Sequence, residues 1–164
     1  MMKKLLTLIL VLGLVPMATA GLSLNVDPAA KSIMVVFDPA DGTMVGYDLR
    51  VEIVPGALVG DAVLGAKGNW LTKPAIVSRT EGDIRITAGA FPAIGFNGLA
   101  EMDTILAISY MPTSIPYTVN LYNASAVQIG DVSLPKGLIQ SVVIPEPMSL
   151  TLLGLGGLFL RRRK

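Results

Sequence analysis

The chemistry open to this chain is bounded first by two side chains it lacks. Its 164 residues include no histidine and no cysteine. Without imidazole the commonest general base and metal ligand are gone, and with them every Ser-His or Cys-His nucleophile pair. Without thiols there is neither a disulfide framework nor a thiolate metal site. Carboxylates remain. Glu81 with Asp83, and Glu101 with Asp103, each share one face of a strand or turn by spacing, whereas glycoside hydrolysis needs two acids opposed across a cleft. Solvated turn residues are the simpler reading. Asp38-Pro39-Ala40-Asp41-Gly42 offers the hard oxygens that suit calcium, but without the Asp-x-Asp-x-Asp-Gly spacing, and a polar hairpin tip explains it equally well. No Gly-x-Ser-x-Gly elbow, P-loop or dinucleotide fingerprint occurs. The expectation is a protein that is not an enzyme and needs no cofactor or metal.

Binding chemistry has one candidate anchor. Trp70 is the sole tryptophan, set between Asn69 and Thr72 in a glycine-rich stretch. An exposed indole there would give a sugar a stacking surface, making Trp70 a candidate glycan contact. The commoner fate of a lone Trp in a β-sandwich is to fill the core or plug one end. Tyr110, Tyr117 and Tyr122 fall in strand-like runs with mixed facing, and their spacing does not mark a sugar-binding strip. Asn123-Ala124-Ser125 matches a glycosylation sequon, a three-residue pattern too short to assign a glycan.

The elements that must position these residues read as strands. Tyr47, Leu49, Val51 and Ile53 alternate with Asp48, Arg50 and Glu52, a period of two with one wet face. Similar alternation marks residues 22–26, 84–88 and 117–121. Residues 32–37, 75–79, 104–110, 125–129 and 138–144 are further runs rich in Val, Ile and Thr. Asp41-Gly42, Pro55-Gly56, residues 81–83 and Asn97-Gly98 supply turns between them. The best helical candidate, residues 59–66, carries Gly60 and Gly65 and would make one or two turns at most. About nine strands without disulfides predict an all-β fold, an antiparallel sandwich or jelly roll.

Charge divides the chain into three parts. Residues 21–144 hold seven Lys or Arg against eleven Asp or Glu, a net of −4. An acidic domain offers no electrostatic footprint for nucleic acid. The cations concentrate at the ends. Lys3 and Lys4 precede an apolar run over residues 5–15 and an Ala18-Thr19-Ala20 step. That is the signal-peptide pattern, with cleavage expected between Ala20 and Gly21. The chain closes with Pro145-Glu146-Pro147, a thirteen-residue apolar run over 148–160, and Arg161, Arg162, Arg163 and Lys164. As a helix that run is about 20 Å long against a hydrocarbon core of about 30 Å. It reads as a short transmembrane helix, with the terminal cations as a cytoplasmic anchor that leaves residues 21–144 facing outward.

Two resemblances follow from these residues. GYDLRVEIVPGAL (46–58), GDIRITAGAF (82–91), GLAEMDTILAISY (98–110) and GLIQSVVI (137–144) together resemble the cohesin pattern. That likeness implies a nine-stranded jelly-roll domain over residues 21–144 and binding of dockerin-type modules in extracellular polysaccharide-degrading assemblies. The order Pro-Glu-Pro, apolar run, basic terminus over residues 145–164 closely resembles the PEP-CTERM sorting signal of exopolysaccharide-producing bacteria, a tail also catalogued as an ice-binding protein C-terminal type. That likeness implies an exosortase acting near Pro145, Glu146 and Pro147, removal of the apolar tail, and delivery to the cell surface or its polymer matrix. A permanent anchor is the alternative fate of the same segment. The expected protein is exported and surface-sorted, and serves protein or polysaccharide interaction. The alternative is a carbohydrate-binding module, and a glycosidase relying on carboxylates alone is the third reading.

Overall fold

The computed structural model describes residues 21–145. The expected signal peptide (1–20), including Ala18 and Ala20, lies outside the described residues. So do Glu146, Pro147, the short helix expected over 148–160 and the cations 161–164. Among the described residues no helix is long and apolar enough to cross a membrane.

Ten strands and two single 3-10 turns make up the described chain. The strands are β1 (Leu22–Asp27), β2 (Ser32–Phe37), β3 (Met44–Val54), β4 (Gly56–Leu64) and β5 (Thr72–Arg79). They continue with β6 (Asp83–Gly89), β7 (Asp103–Pro112), β8 (Tyr117–Ile129), β9 (Val132–Leu134) and β10 (Gly137–Ile144). Two antiparallel sheets result. One runs β1-β2-β7-β4, the other β10-β8-β3-β6-β5, with β9 paired to β8. The all-β sandwich expected from the alternating pattern is therefore what forms.

Three local expectations are corrected. Residues 59–66 are not helical: most of them lie in β4, which pairs with β7. The register slips between Val59 and Val63, and Gly60 at φ +69° occupies the bulge, so this glycine serves a strand irregularity. The runs at 117–121 and 125–129 are one long strand, β8, rather than two. Asp38 to Gly42 is not a hairpin tip either. It holds a 3-10 turn over Pro39–Asp41, started by the Asp38 carboxylate accepting the Ala40 N–H, and carries the chain from one sheet to the other.

The core is the apolar layer between the sheets. From the larger sheet, Leu49, Val51, Ile84, Ile86, Val119 and Leu121 point inward with no measurable exposure. They meet Ile33, Val35, Phe37 and Leu106 of the smaller sheet, equally buried. Strict alternation puts one strand face in this layer and the other in water, so the hydrophobic set itself fixes the register. Each such side chain contributes roughly 1.5–3 kcal/mol on burial, which makes the layer the dominant favourable term.

A sandwich of two open sheets also has two sides where the edges face each other. On the β1/β10 side, Gln140 of β10 is buried and its Oε1 accepts the Leu24 N–H at 2.8 Å. Its Nε2 donates back to the Leu24 carbonyl at 3.4 Å. The carboxamide thus stands in for a neighbouring peptide and satisfies the free edge of β1. On the β4/β5 side, the Arg79 guanidinium donates to the carbonyls of Gly60 at 2.7 Å and Leu58 at 3.2 Å. Backbone bonds from Leu58 to Glu81 (2.6 Å) and from Ile53 to Gly82 (2.9 Å) close the same end.

The termini leave from opposite ends. Gly21 sits with Asp38 and Asp103, since its carbonyl accepts the Asp38 N–H and Phe37 pairs Asp103. Ile144, just before Pro145, pairs Tyr117 beside the Val54–Thr118 pair. The ten residues of β7 span the distance between those ends, about 30 Å at 3.3 Å per residue.

Replacing Gln140 by Leu strands the Leu24 N–H and carbonyl in a buried seam. We expect a stability loss of about 2–3 kcal/mol, read as a lower urea midpoint with an unchanged denaturant slope.

Candidate functional site

The residues able to act on an outside molecule cluster on the solvent face of the larger sheet. Because β3 alternates, Asp48, Arg50 and Glu52 all point outward, opposite Leu49, Val51 and Ile53. Register then sets their neighbours. On β6, Thr87, Arg85 and Asp83 stand opposite them. On β8, Tyr122 and Asn120 stand opposite Arg50 and Glu52. Two arginines, Arg50 and Arg85, are direct cross-strand partners, an arrangement that repels unless compensated.

The compensation is a lattice of carboxylates. Arg85 makes a two-pronged pair with Asp48, Nε to Oδ1 at 2.7 Å and Nη2 to Oδ2 at 2.6 Å. The Ser125 hydroxyl donates to the same Asp48 Oδ2. Arg50 splits its fork, Nε to Asp83 Oδ2 at 2.5 Å and Nη2 to Glu52 Oε1 at 2.8 Å. Glu52 in turn accepts the Tyr122 hydroxyl at 3.0 Å and the Asn120 amide at 3.4 Å. Ser141 of β10 donates to Asn120 at 2.8 Å. The Arg50 guanidinium carbon also lies 5.5 Å from the Tyr122 ring centre, a cation–π contact.

Protonation follows from these contacts. The hydrogen bond from Arg85, opposed by burial and aided by Ser125, holds the Asp48 carboxyl below the usual aspartate range. Bonding to Asp83 and to Asp48 raises Arg50 and Arg85 respectively above the ordinary arginine value. Burial first, then the bond to Glu52, raises the Tyr122 phenol. The face therefore carries mutually paired charges held in a fixed geometry, a pattern that it can present to a partner.

The other sequence candidates fall elsewhere. Trp70 is 7% exposed, its indole N–H donates to the Lys67 carbonyl at 2.8 Å, and it meets Tyr47 edge-on at 5.7 Å. Of its two sequence readings, the end plug is what the structure holds, and the open stacking platform is not. Gly68 makes this possible: at φ +94°, a Cβ there would lie 2.5 Å from the Trp70 indole nitrogen. Tyr110 and Tyr117 point into the core and share a hydroxyl–hydroxyl bond of 2.6 Å, while only Tyr122 of the three reaches the outer face. Burial, then the Tyr117 bond, drives the Tyr110 phenol upward. Asp83 is taken up by Arg50, and exposed Glu101 lies 3.5 Å from Lys67. Among the described residues no group of three or more His, Cys, Asp or Glu could hold a metal ion.

Asn123 of the sequon is 1% exposed. Both hydrogens of its amide are used, by the carbonyls of Leu134 at 2.8 Å and Pro135 at 3.0 Å. A glycan on that nitrogen is incompatible with the folded domain. Gly21 of the cleavage site opens the described chain at a left-handed φ of +70°, and Pro145 of the sorting motif ends it. Sequence reasoning named none of Arg50, Arg85, Asp48 or Tyr122 as a site. The wet face of β3 was the available signal, and the cross-strand register was the missing half.

No family model matches this chain, and no curated protein matches it.

Asp48 has the depressed value, so its pairing stabilises the fold fully above the unfolded aspartate pKa of about 3.9. That contribution is lost as pH falls below this value and through the lower folded pKa. Asp48→Asn should flatten the fall in stability over that acid window while costing stability at pH 7, as followed by denaturant melts across pH. Gly68→Ala should push the indole out of its seat, giving a red-shifted Trp70 emission and a lower melting temperature.

Proposed function

We propose that this chain is an exported, non-enzymatic surface protein whose sandwich is an interaction module, sorted by its C-terminal tail. The observation that carries the reading is the outer face of the larger sheet. Seven polar side chains from β3, β6 and β8 are locked into two adjoining charge clusters that the hydrophobic core does not need. Preorganised charge of this kind lowers the ordering cost of binding and gives specificity.

The cohesin-like, jelly-roll reading gains support from topology. Successive strands switch between the sheets at β2 to β3, β3 to β4, β4 to β5, β6 to β7 and β7 to β8, as a double-wound sandwich requires. On that reading the lattice face receives a dockerin-type protein module. The tail reading rests on the Pro-Glu-Pro, apolar and basic order of residues 145–164. It assigns an exosortase as processing partner, the membrane as a transient location and the cell surface or matrix as destination. The described chain leaves at the Tyr117 end from the edge strand β10.

Titration of the purified protein with a panel of dockerin-type modules tests the module. We expect binding by at least one, weakened about tenfold or more in Tyr122→Ala, which removes an aromatic of the type that dominates interface energetics. Absence of binding across the panel would sink the scaffold version.

A further inference from the structure

We propose that the Tyr117 end of the sandwich seats in the headgroup-to-acyl interface of a lipid bilayer, with Ile115 at its tip. The inference rests on the reading of residues 148–160 as a membrane segment. Register defines what this end exposes. On the outer face of the larger sheet the last cross-strand row is Val143, Thr118 and Val54, which places the two valines about 10 Å apart across three strands. Val143 is 60% exposed and Val54 49%. On the outer face of the smaller sheet, Met111 pairs Ala57 at the same end and is 55% exposed. Ile115, 46% exposed, lies in the turn from β7 to β8 that crosses between the sheets. A bond from the Thr113 N–H to the Pro55 carbonyl holds this turn against the one joining β3 to β4.

That arrangement selects the partner. The four apolar side chains lie on both outer faces and at the tip between them, so no flat protein surface laid on one sheet covers them together. A lipid interface entered end-on does, because it closes around the whole end and takes apolar side chains to a depth of about 5–10 Å. Such burial removes apolar area from water without requiring a matching shape. Apolar exposure alone does not choose this end, since Ile94 at the opposite end is also 60% exposed. The exit of the chain chooses it. Ile144 pairs Tyr117, and the apolar run 148–160 begins three residues after Pro145, a span of at most about 11 Å. With that run in a bilayer, the Tyr117 end cannot stand off from the lipid, and Val54, Met111, Ile115 and Val143 meet it. Asp27, Lys31 and Glu81, in the other turns of this end, are exposed and stay solvated among polar headgroups.

The chain has no cysteine, so single introduced cysteines report position cleanly. The test reconstitutes residues 21–164 in phosphatidylcholine vesicles and separates bound protein by flotation. An environment-sensitive fluorophore is attached at Ile115→Cys, Val143→Cys or Ile94→Cys. We expect the labels at 115 and 143 to shift to the blue, to be quenched by brominated lipid and to lose most of their quenching by iodide. The label at 94 should behave as it does in buffer. Adding Ile115→Asp should raise iodide access at Val143→Cys severalfold with flotation unchanged, an outcome that a tether alone would not give. Iodide access at 115 equal to that at 94, or unchanged access at 143 when Ile115→Asp is added, overturns the proposal. A chain that fails to float refutes the membrane reading of the tail and the seat with it. A chain that floats with water-exposed labels refutes the seat alone.

Discussion

The carboxamide of Gln140 bridges the two sheets where the edges of β1 and β10 face each other. The chain has no cysteine, so the sandwich rests on its apolar layer and on whatever seals its sides. The layer supplies most of the free energy, but hydrophobic attraction has no direction and does not fix which edges meet. Gln140 does, because its two bonds to Leu24 demand one registry between β1 and β10. The Arg79 bridge performs the same task on the opposite side, at one end only. At the other end a shallow opening lies between Leu64, Lys73 and Pro74. A fully sealed sandwich would have no cleft there.

The polar face is built by a second constraint. Placing Arg50 opposite Arg85 would cost stability in isolation, and the surrounding carboxylates convert the clash into a lattice. Part of that lattice is exposed to solvent: the Arg50 and Arg85 side chains are 41% and 39% exposed. Exposed pairs of this kind contribute only about 0–1 kcal/mol each to stability. Rigidity and pattern are therefore its main products, and these serve recognition better than folding. The Glu52 and Asn120 edge of the lattice lies toward the Tyr117 end, where the described chain leaves at Pro145.

How far the sequence alone reached depended on the range of the interactions. The core face of β3 was legible because Tyr47, Leu49, Val51 and Ile53 alternate without interruption. The edge strand β4 was not, because Gly60, Asp61 and a bulge break its period and leave only Leu58 of its nine residues fully buried. Pro112 closes β7 and Pro116 stands just before β8, so neither proline falls in the interior of a strand. Gln140 gave no signal at all, its partner lying 116 residues away. Trp70 posed a choice that spacing could not make. Two loops distant in sequence, around Gly68 and Gly98, decide that the indole is an end plug. For the lattice, one strand showed the charged residues, and only pairing across β6 and β8 showed what they do.

The proposed two-ended address around this sandwich is most directly tested by the intact mass of the protein recovered from the surface of the cells that make it. A chain that starts at Gly21 and ends within residues 145–147 is the expected species. A surface-recovered chain that retains Arg161 through Lys164 would contradict removal of the tail. It would instead make the C-terminal segment a lasting anchor.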